Sequence, residues 1–221
     1  MRHWGVMQQR SAERSFSVGV VILAAGRSAR MGRPKLLLPW GETSVLGHLI
    51  KQWQALGARQ IAVVCAPGDQ AIQAELDRLG FAGDGRIINP SPERGMFSSI
   101  QCAVQWRGWQ AALTHWAIVL GDQPHLQPQT LRQVLDFSAA HPTKVCQPAR
   151  RGRGRHPVLL PRTVCRQLAR TKAVTLKEFL VARSQEAALC EVDDPGMEVD
   201  IDRPEDYAKA LELAARRRTD R

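Results

Sequence analysis

The sequence predicts an α/β fold in which a mostly parallel central sheet carries helices on both faces. Three observations predict it. Apolar, strand-sized runs alternate with segments of helical period four times in succession. The opening run is continuous and β-branched rather than alternating, as in a strand covered on both sides. The strongest polar clusters follow two of the runs directly, at the carboxyl ends where open parallel sheets hold their ligands.

The first strand is 18–23, ended by the small residues Ala24, Ala25 and Gly26. Thr43 or Ser44 caps a helix whose apolar face is Val45, Leu46, Leu49, Ile50, Trp53 and Leu56, and Gly57 closes it. A strand over 61–65 and a helix over 70–79 come next, then a short strand at 86–88. Gly95 opens a helix over 96–105, and 116–120 is a buried strand that runs at once into Gly121-Asp122-Gln123-Pro124. A helix over 128–138 turns Leu131, Val134 and Leu135 inward. Beyond it the pattern is less regular. Runs at 145–148 and 158–160 flank an Arg-rich loop, a helical stretch follows, and a last strand is expected at 199–201. Pro204 opens the closing helix, with Glu205 and Asp206 in its first turn.

With 221 residues and 44% apolar composition, the chain builds one substantial core rather than two large domains. The predicted organisation is a disordered extension over 1–17, one domain over 18–214 with an acceptor or lid subregion near 145–195, and a basic tail over 215–221. No run approaches 18 apolar residues, so a membrane span is excluded; the polar, Arg-bearing start lacks a signal peptide's apolar region. Five scattered cysteines without a CxxC pair give neither a disulfide framework nor a zinc knot, and fit reduced thiols in the cytoplasm. Thirty-one Lys and Arg against 21 Asp and Glu leave a charge of +10, which favours anionic partners. Nucleic acid fits poorly, because no RNA-binding signature appears.

Two clusters carry the chemistry. In Leu23-Ala24-Ala25-Gly26-Arg27-Ser28-Ala29-Arg30-Met31-Gly32-Arg33-Pro34-Lys35, a turn of small residues lets backbone N–H groups approach an anion. Three Arg and a Lys then supply countercharge for a triphosphate, with Pro34 setting the backbone beside Lys35. The spacing satisfies neither GxxxxGK[ST] nor GxGxxG. The second cluster is Asp122, a carboxylate at a strand's end, and Mg²⁺ prefers one or two carboxylates plus water and phosphate oxygens. Asp200 and Asp202, on one face of the expected last strand, offer a second carboxylate; Asp202 also suits a helix cap.

The stretch from Leu23 to Lys35, with Leu36-Leu37-Leu38-Pro39-Trp40-Gly41 after it, resembles the signature of MobA-like NTP transferases, closest to their molybdenum cofactor cytidylyltransferase branch. Gly95-Met96, Ser98-Ser99-Ile100, Gly121-Asp122-Gln123-Pro124, His156-Pro157-Val158 and Asp200-Ile201-Asp202 with Pro204 to Tyr207 match later motifs in the same order. The resemblance implies a Rossmann-like nucleotidyltransferase fold, Mg²⁺, an NTP with CTP favoured, and molybdopterin as the phosphate-bearing acceptor, with pyrophosphate leaving. A molybdoenzyme would receive the product. Carried over residue by residue, Leu23, Ala24, Ala25, Gly26, Arg27 and Ser28 would hold the nucleotide. Arg30 and Lys35 would neutralise the triphosphate, with Lys35 the catalytic cation, and Asp122 and Asp200 would hold the metal.

Ser98, Arg155 and His156 are the implied acceptor contacts. Arg155 stands where the family often has Gly, which leaves the acceptor open. A phosphate nucleophile is already ionised near pH 7, so His156 is read as orienting the acceptor rather than as a base. Ala25 and Pro34 resemble the cytidylyl branch, since the guanylyl branch has Gly and Asp there. Guanylyl transfer to molybdopterin, cytidylyl transfer to another phosphorylated small molecule, and a non-catalytic cofactor-binding maturation factor are the alternatives.

Overall fold

The computed structural model describes residues 15–26 and 31–219. In chain order the strands are β1 (Val18–Leu23), β2 (Pro39–Trp40), β3 (Thr43–Ser44), β4 (Gln60–Cys65), β5 (Arg86–Ile88), β6 (His115–Leu120), β7 (Val145–Arg150), β8 (Arg153–Gly154), β9 (Val158–Pro161) and β10 (Ala187–Glu191). The helices are α1 (Val45–Ala55), α2 (Gln70–Arg78), α3 (Met96–Gln105), α4 (Pro128–Ala140), α5 (Arg162–Leu168), α6 (Leu176–Val181) and α7 (Pro204–Thr219).

The main sheet runs β10-β7-β9-β6-β1-β4-β5, with β8 hairpinned onto β7, while β2 and β3 pair apart from it. β1 is parallel to both β4 and β6, and β4 to β5. β9 alone in the seven-strand path is reversed, lying antiparallel between β6 and β7, and β10 is parallel to β7 at the edge. The sheet is therefore mostly parallel, as predicted.

Two apolar layers sandwich it. Val20 and Ile22 of β1 pack with Leu46, Leu49 and Trp53 of α1 and with Leu131 and Val134 of α4. Val21 points the other way, with Ile100 of α3, Ile118 and Val158. That alternation along one wholly buried strand is why its sequence reads as an unbroken apolar run. Ser44 rather than Thr43 caps α1, its Oγ accepting from Gly47 N at 3.0 Å.

Register between β1 and β6 builds the site. Leu23 lies opposite Leu120 and, on its other side, Val64, so the loops after β1 and β6 emerge side by side at one sheet end. The closeness requires glycine: a Cβ on Gly121 would sit 2.6 Å from Leu36 Cδ2 and 2.9 Å from the Leu23 carbonyl oxygen.

The expected strand at 199–201 is not one. A 3-10 turn over Pro195–Glu198 leads into extended chain, and Ile201 N bonds the Asp122 carbonyl at 3.1 Å instead of a sheet partner. The true edge strand, β10, comes earlier, and the acidic segment crosses the carboxyl end of β6. Val199 and Ile201 are still buried, which explains their strand-like appearance. Residues 145–195 extend the same sheet through β7, β9 and β10. At the amino end, residues 1–14 lie outside the described residues, but Ser17 N bonds Thr114 Oγ1 at 2.9 Å and the Phe16 ring packs on His115. α7 continues to Thr219, so most of the expected tail over 215–221 is helix.

Gly121→Ala should lower stability by ~1–3 kcal/mol, because the added methyl meets backbone as well as a side chain. A denaturant midpoint unchanged from wild type would show that β1, β6 and Leu36 are not held so closely.

Candidate active site

Lys35 stands at the start of a 3-10 turn, Lys35–Leu37, entered through Pro34 at φ −61° and ψ 108°. Leu36 within the turn and Leu38 just after it are buried, so the turn is pinned to the core while the lysine is left at the crevice. Its Nζ lies 2.7 Å from Asp122 Oδ2 and 3.5 Å from Asp202 Oδ1. Thus residues 87 and 167 positions downstream meet one ammonium over the sheet's carboxyl end.

The carboxylates are placed by different means. Asp122 leaves β6 through Gly121, and its Oδ1 is buried with no hydrogen-bond partner among the described residues. Asp200 is held by the buried Gln123, whose Nε2 donates to Oδ1 at 2.7 Å. Asp206, not Asp202, receives the backbone N–H groups of Asp202 and Arg203 at the start of α7. The segment 194–201 is fastened along the loop after β6: Gln127 N and Thr130 Oγ1 donate to the buried Asp194, and His125 Nε2 lies 3.0 Å from the Gly196 carbonyl.

A cavity of about 510 Å³ opens beside Lys35 and Asp122. Leu23, Ala25 and Gly26 form one wall, and Gly95, Met96 and Ser99 from the start of α3 form another. Ala24 lies beneath: it is buried, and its N–H is spent on the Val64 carbonyl at 2.8 Å. Ser98 also sits behind the wall, bonded to the Gly95 and Ser91 carbonyls, and Ser99 lines the cavity in its place. Asn89 organises this wall by donating to Ser98 Oγ at 2.8 Å and Ser99 Oγ at 2.9 Å. A lone Asn after a three-residue strand carries no sequence signal, so no motif or spacing points to it. Arg27, Ser28 and Arg30 lie outside the described residues.

Arg155 is tied through its backbone, N to the Pro148 carbonyl at 2.8 Å, and its Nε is buried without a hydrogen-bond partner among the described residues. His156 Nδ1 lies 3.3 Å from the Ile118 carbonyl. Burial holds its pKa below the ordinary 6.5, against the bond to Ile118 and the opposing pull of Asp122 and Asp200. In its neutral form such a ring, donating from Nδ1, brings no countercharge.

Among the described residues no three His, Cys, Asp or Glu side chains gather into a metal-holding cluster. The carboxylates present nevertheless fit a hard divalent ion, because Asp122 Oδ1 has no hydrogen-bond partner among the described residues and such an ion completes its shell with water and phosphate. A cation, carboxylates and a cavity at adjoining strand ends can together bind a polyphosphate and stabilise charge on it.

The sequence over residues 20–191 matches the MobA-like NTP transferase domain. Molybdenum cofactor cytidylyltransferase of Escherichia coli K12 is 25% identical over 197 residues, 89% of this chain and 96% of that protein. The crystal structure of Rv0371c from Mycobacterium tuberculosis H37Rv superposes with a TM-score of 0.72 at 29% identity, covering 90% of this chain and 99% of that one. The manganese complex of Rv0371c gives 0.67 at 28% identity, over 89% and 98%.

The pH dependence of folding follows from His156 and from His115, which burial likewise holds below 6.5. Each takes up its proton at a lower pH when folded than when unfolded, so its stabilising effect is present above pH 6.5 and is lost progressively as pH falls below it. His115→Gln should lose less stability than wild type between pH 7.5 and 5.5; an equal loss in chemical denaturation would contradict this.

Proposed function

The chain belongs to the MobA-like NTP transferase family and is a nucleotidyltransferase, and from that premise we propose that it transfers CMP from CTP to the phosphate of molybdopterin, releasing pyrophosphate. One observation carries the catalytic reading: the Lys35 ammonium lies 2.7 Å from Asp122 at the mouth of a cavity walled by the loop after β1. The cytidylyl and molybdopterin assignments draw on the similarity to the E. coli cytidylyltransferase and on Ala25 and Pro34.

In this reading an acceptor phosphate oxygen attacks the α-phosphorus in line, forming a P–O bond as the bond to the β-phosphate oxygen breaks. The departing pyrophosphate keeps the electron pair. The protein positions the two phosphates and neutralises charge, and forms no covalent intermediate. Ala25 and Gly26, with Leu23 beside them, receive the nucleotide opposite Ser99; Arg27, Ser28 and Arg30 belong to the same loop. Lys35 neutralises charge on the triphosphate with Arg30. Asp122 and Asp200 would hold Mg²⁺, which when bound supplies further charge neutralisation at the phosphate oxygens. The similar Rv0371c structure was solved as a manganese complex, which supports the use of a divalent ion. Arg155 and His156 face the acceptor, the guanidinium seeking an anion and the neutral imidazole an oriented hydrogen bond. The enzyme works in the cytoplasm, where its five thiols stay reduced, and hands its product to a molybdoenzyme.

Lys35→Ala should cost ~10²–10³ in nucleotidyl transfer, the scale of one lost preorganised donor. Asp122→Asn should abolish metal-dependent turnover while remaining folded. Pyrophosphate release at wild-type rate from either variant contradicts its role. CTP with Mg²⁺ at about 100 times its Kd should raise folding stability by about 2.7 kcal/mol; a larger rise with GTP at equal concentration would favour guanylyl transfer.

A further inference from the structure

The resting position of Lys35 has a consequence for metal entry. Its ammonium lies 2.7 Å from Asp122 Oδ2, and the pair is mostly sheltered, with 19% and 17% of the side chains exposed. The other oxygen of Asp122 is buried and has no hydrogen-bond partner among the described residues. Asp202 Oδ1 lies 3.5 Å from the same ammonium, on a side chain 33% exposed. Asp206 takes the backbone N–H groups of Asp202 and Arg203 at the start of α7, while Gln123 orients Asp200.

From this arrangement we infer that Lys35 is an internal stand-in for the divalent ion, displaced when the metal binds, and that Asp202 is the positioning residue that keeps the displaced ammonium at the crevice. The inference rests on the metal assignment proposed above. A dication approaching Asp122 meets the ammonium at contact range, where partial burial leaves like-charge repulsion poorly screened. The metal therefore binds the bare protein weakly. A triphosphate relieves the conflict because it offers the ammonium oxygens of its own, so metal and nucleotide enter together. Lys35 then moves only from one carboxylate towards the phosphates, with Asp202 limiting its travel. The two carboxylates of the Asp200-Ile201-Asp202 segment thus divide the work, Asp200 toward the metal and Asp202 toward the lysine.

Mn²⁺ titration of the nucleotide-free, full-length protein, read by loss of the free-ion electron paramagnetic resonance signal, tests this without turnover. Lys35→Met should bind Mn²⁺ at least ~10-fold more tightly than wild type, because the repelling charge is gone. Asp202→Asn should bind it more weakly, since the ammonium then loses the carboxylate 3.5 Å away and keeps its 2.7 Å contact with Asp122. Adding Asp122→Asn to Lys35→Met should remove the gain. Lys35→Gln serves the same purpose if the Met variant does not fold. Equal or weaker Mn²⁺ binding by the Lys35 variant, or tighter binding by Asp202→Asn, overturns the inference. Because the titration contains no NTP or acceptor, a wild-type protein that transfers no nucleotide would defeat the proposed reaction without altering the order of these affinities.

Discussion

A single ammonium shared by carboxylates from two distant parts of the chain is the constraint around which the site is arranged. Lys35 comes from the loop after β1, Asp122 from the end of β6, and Asp202 from the approach to α7. None of the three has chemistry to offer alone: an exposed lysine is solvated, and a lone carboxylate after a strand makes ordinary turns. Their convergence, at one end of a sheet and partly withdrawn from water, gives each charge leverage on a bound phosphate.

The fold supplies that convergence through register. β1 and β6 are adjacent and in step, so their loops must emerge together, and Gly121 lets them approach within contact of Leu36. Leu36 and Leu38 then fix the lysine's turn from below. The third component is carried by a segment with no regular structure, which the buried Asp194, His125 and the Asp122 carbonyl fasten to the loop after β6. A loop that must aim carboxylates cannot rely on a ladder of its own, and side-chain bonds replace it.

Much of this was legible in the residues. The first six main-sheet and helix assignments needed only periodicity and caps, because buried parallel strands and amphipathic helices leave strong patterns. Lys35 and Asp122 were legible because glycine, small residues and charge coincide directly after apolar runs. The edge strand β10 was missed: Ala187–Glu191 contains one buried cysteine and an exposed leucine, too little for a strand pattern. The segment at 199–201 misled for the opposite reason, since Val199 and Ile201 are buried by packing rather than by pairing. Asn89 and Gln123 act through geometry that spacing does not encode. The exchange of Ser98 for Ser99 at the cavity wall reflects a one-residue difference in helix facing, finer than motif order resolves.

The central claim is that Lys35 and Asp122 act on one nucleotide in one crevice. A crystal structure with CTP and Mn²⁺, the ion located by its anomalous scattering, tests it most directly. The account predicts manganese on Asp122 and the Lys35 ammonium moved onto the triphosphate of a nucleotide seated against Ala25 and Gly26. A nucleotide bound elsewhere, with Lys35 still paired to Asp122, would contradict it.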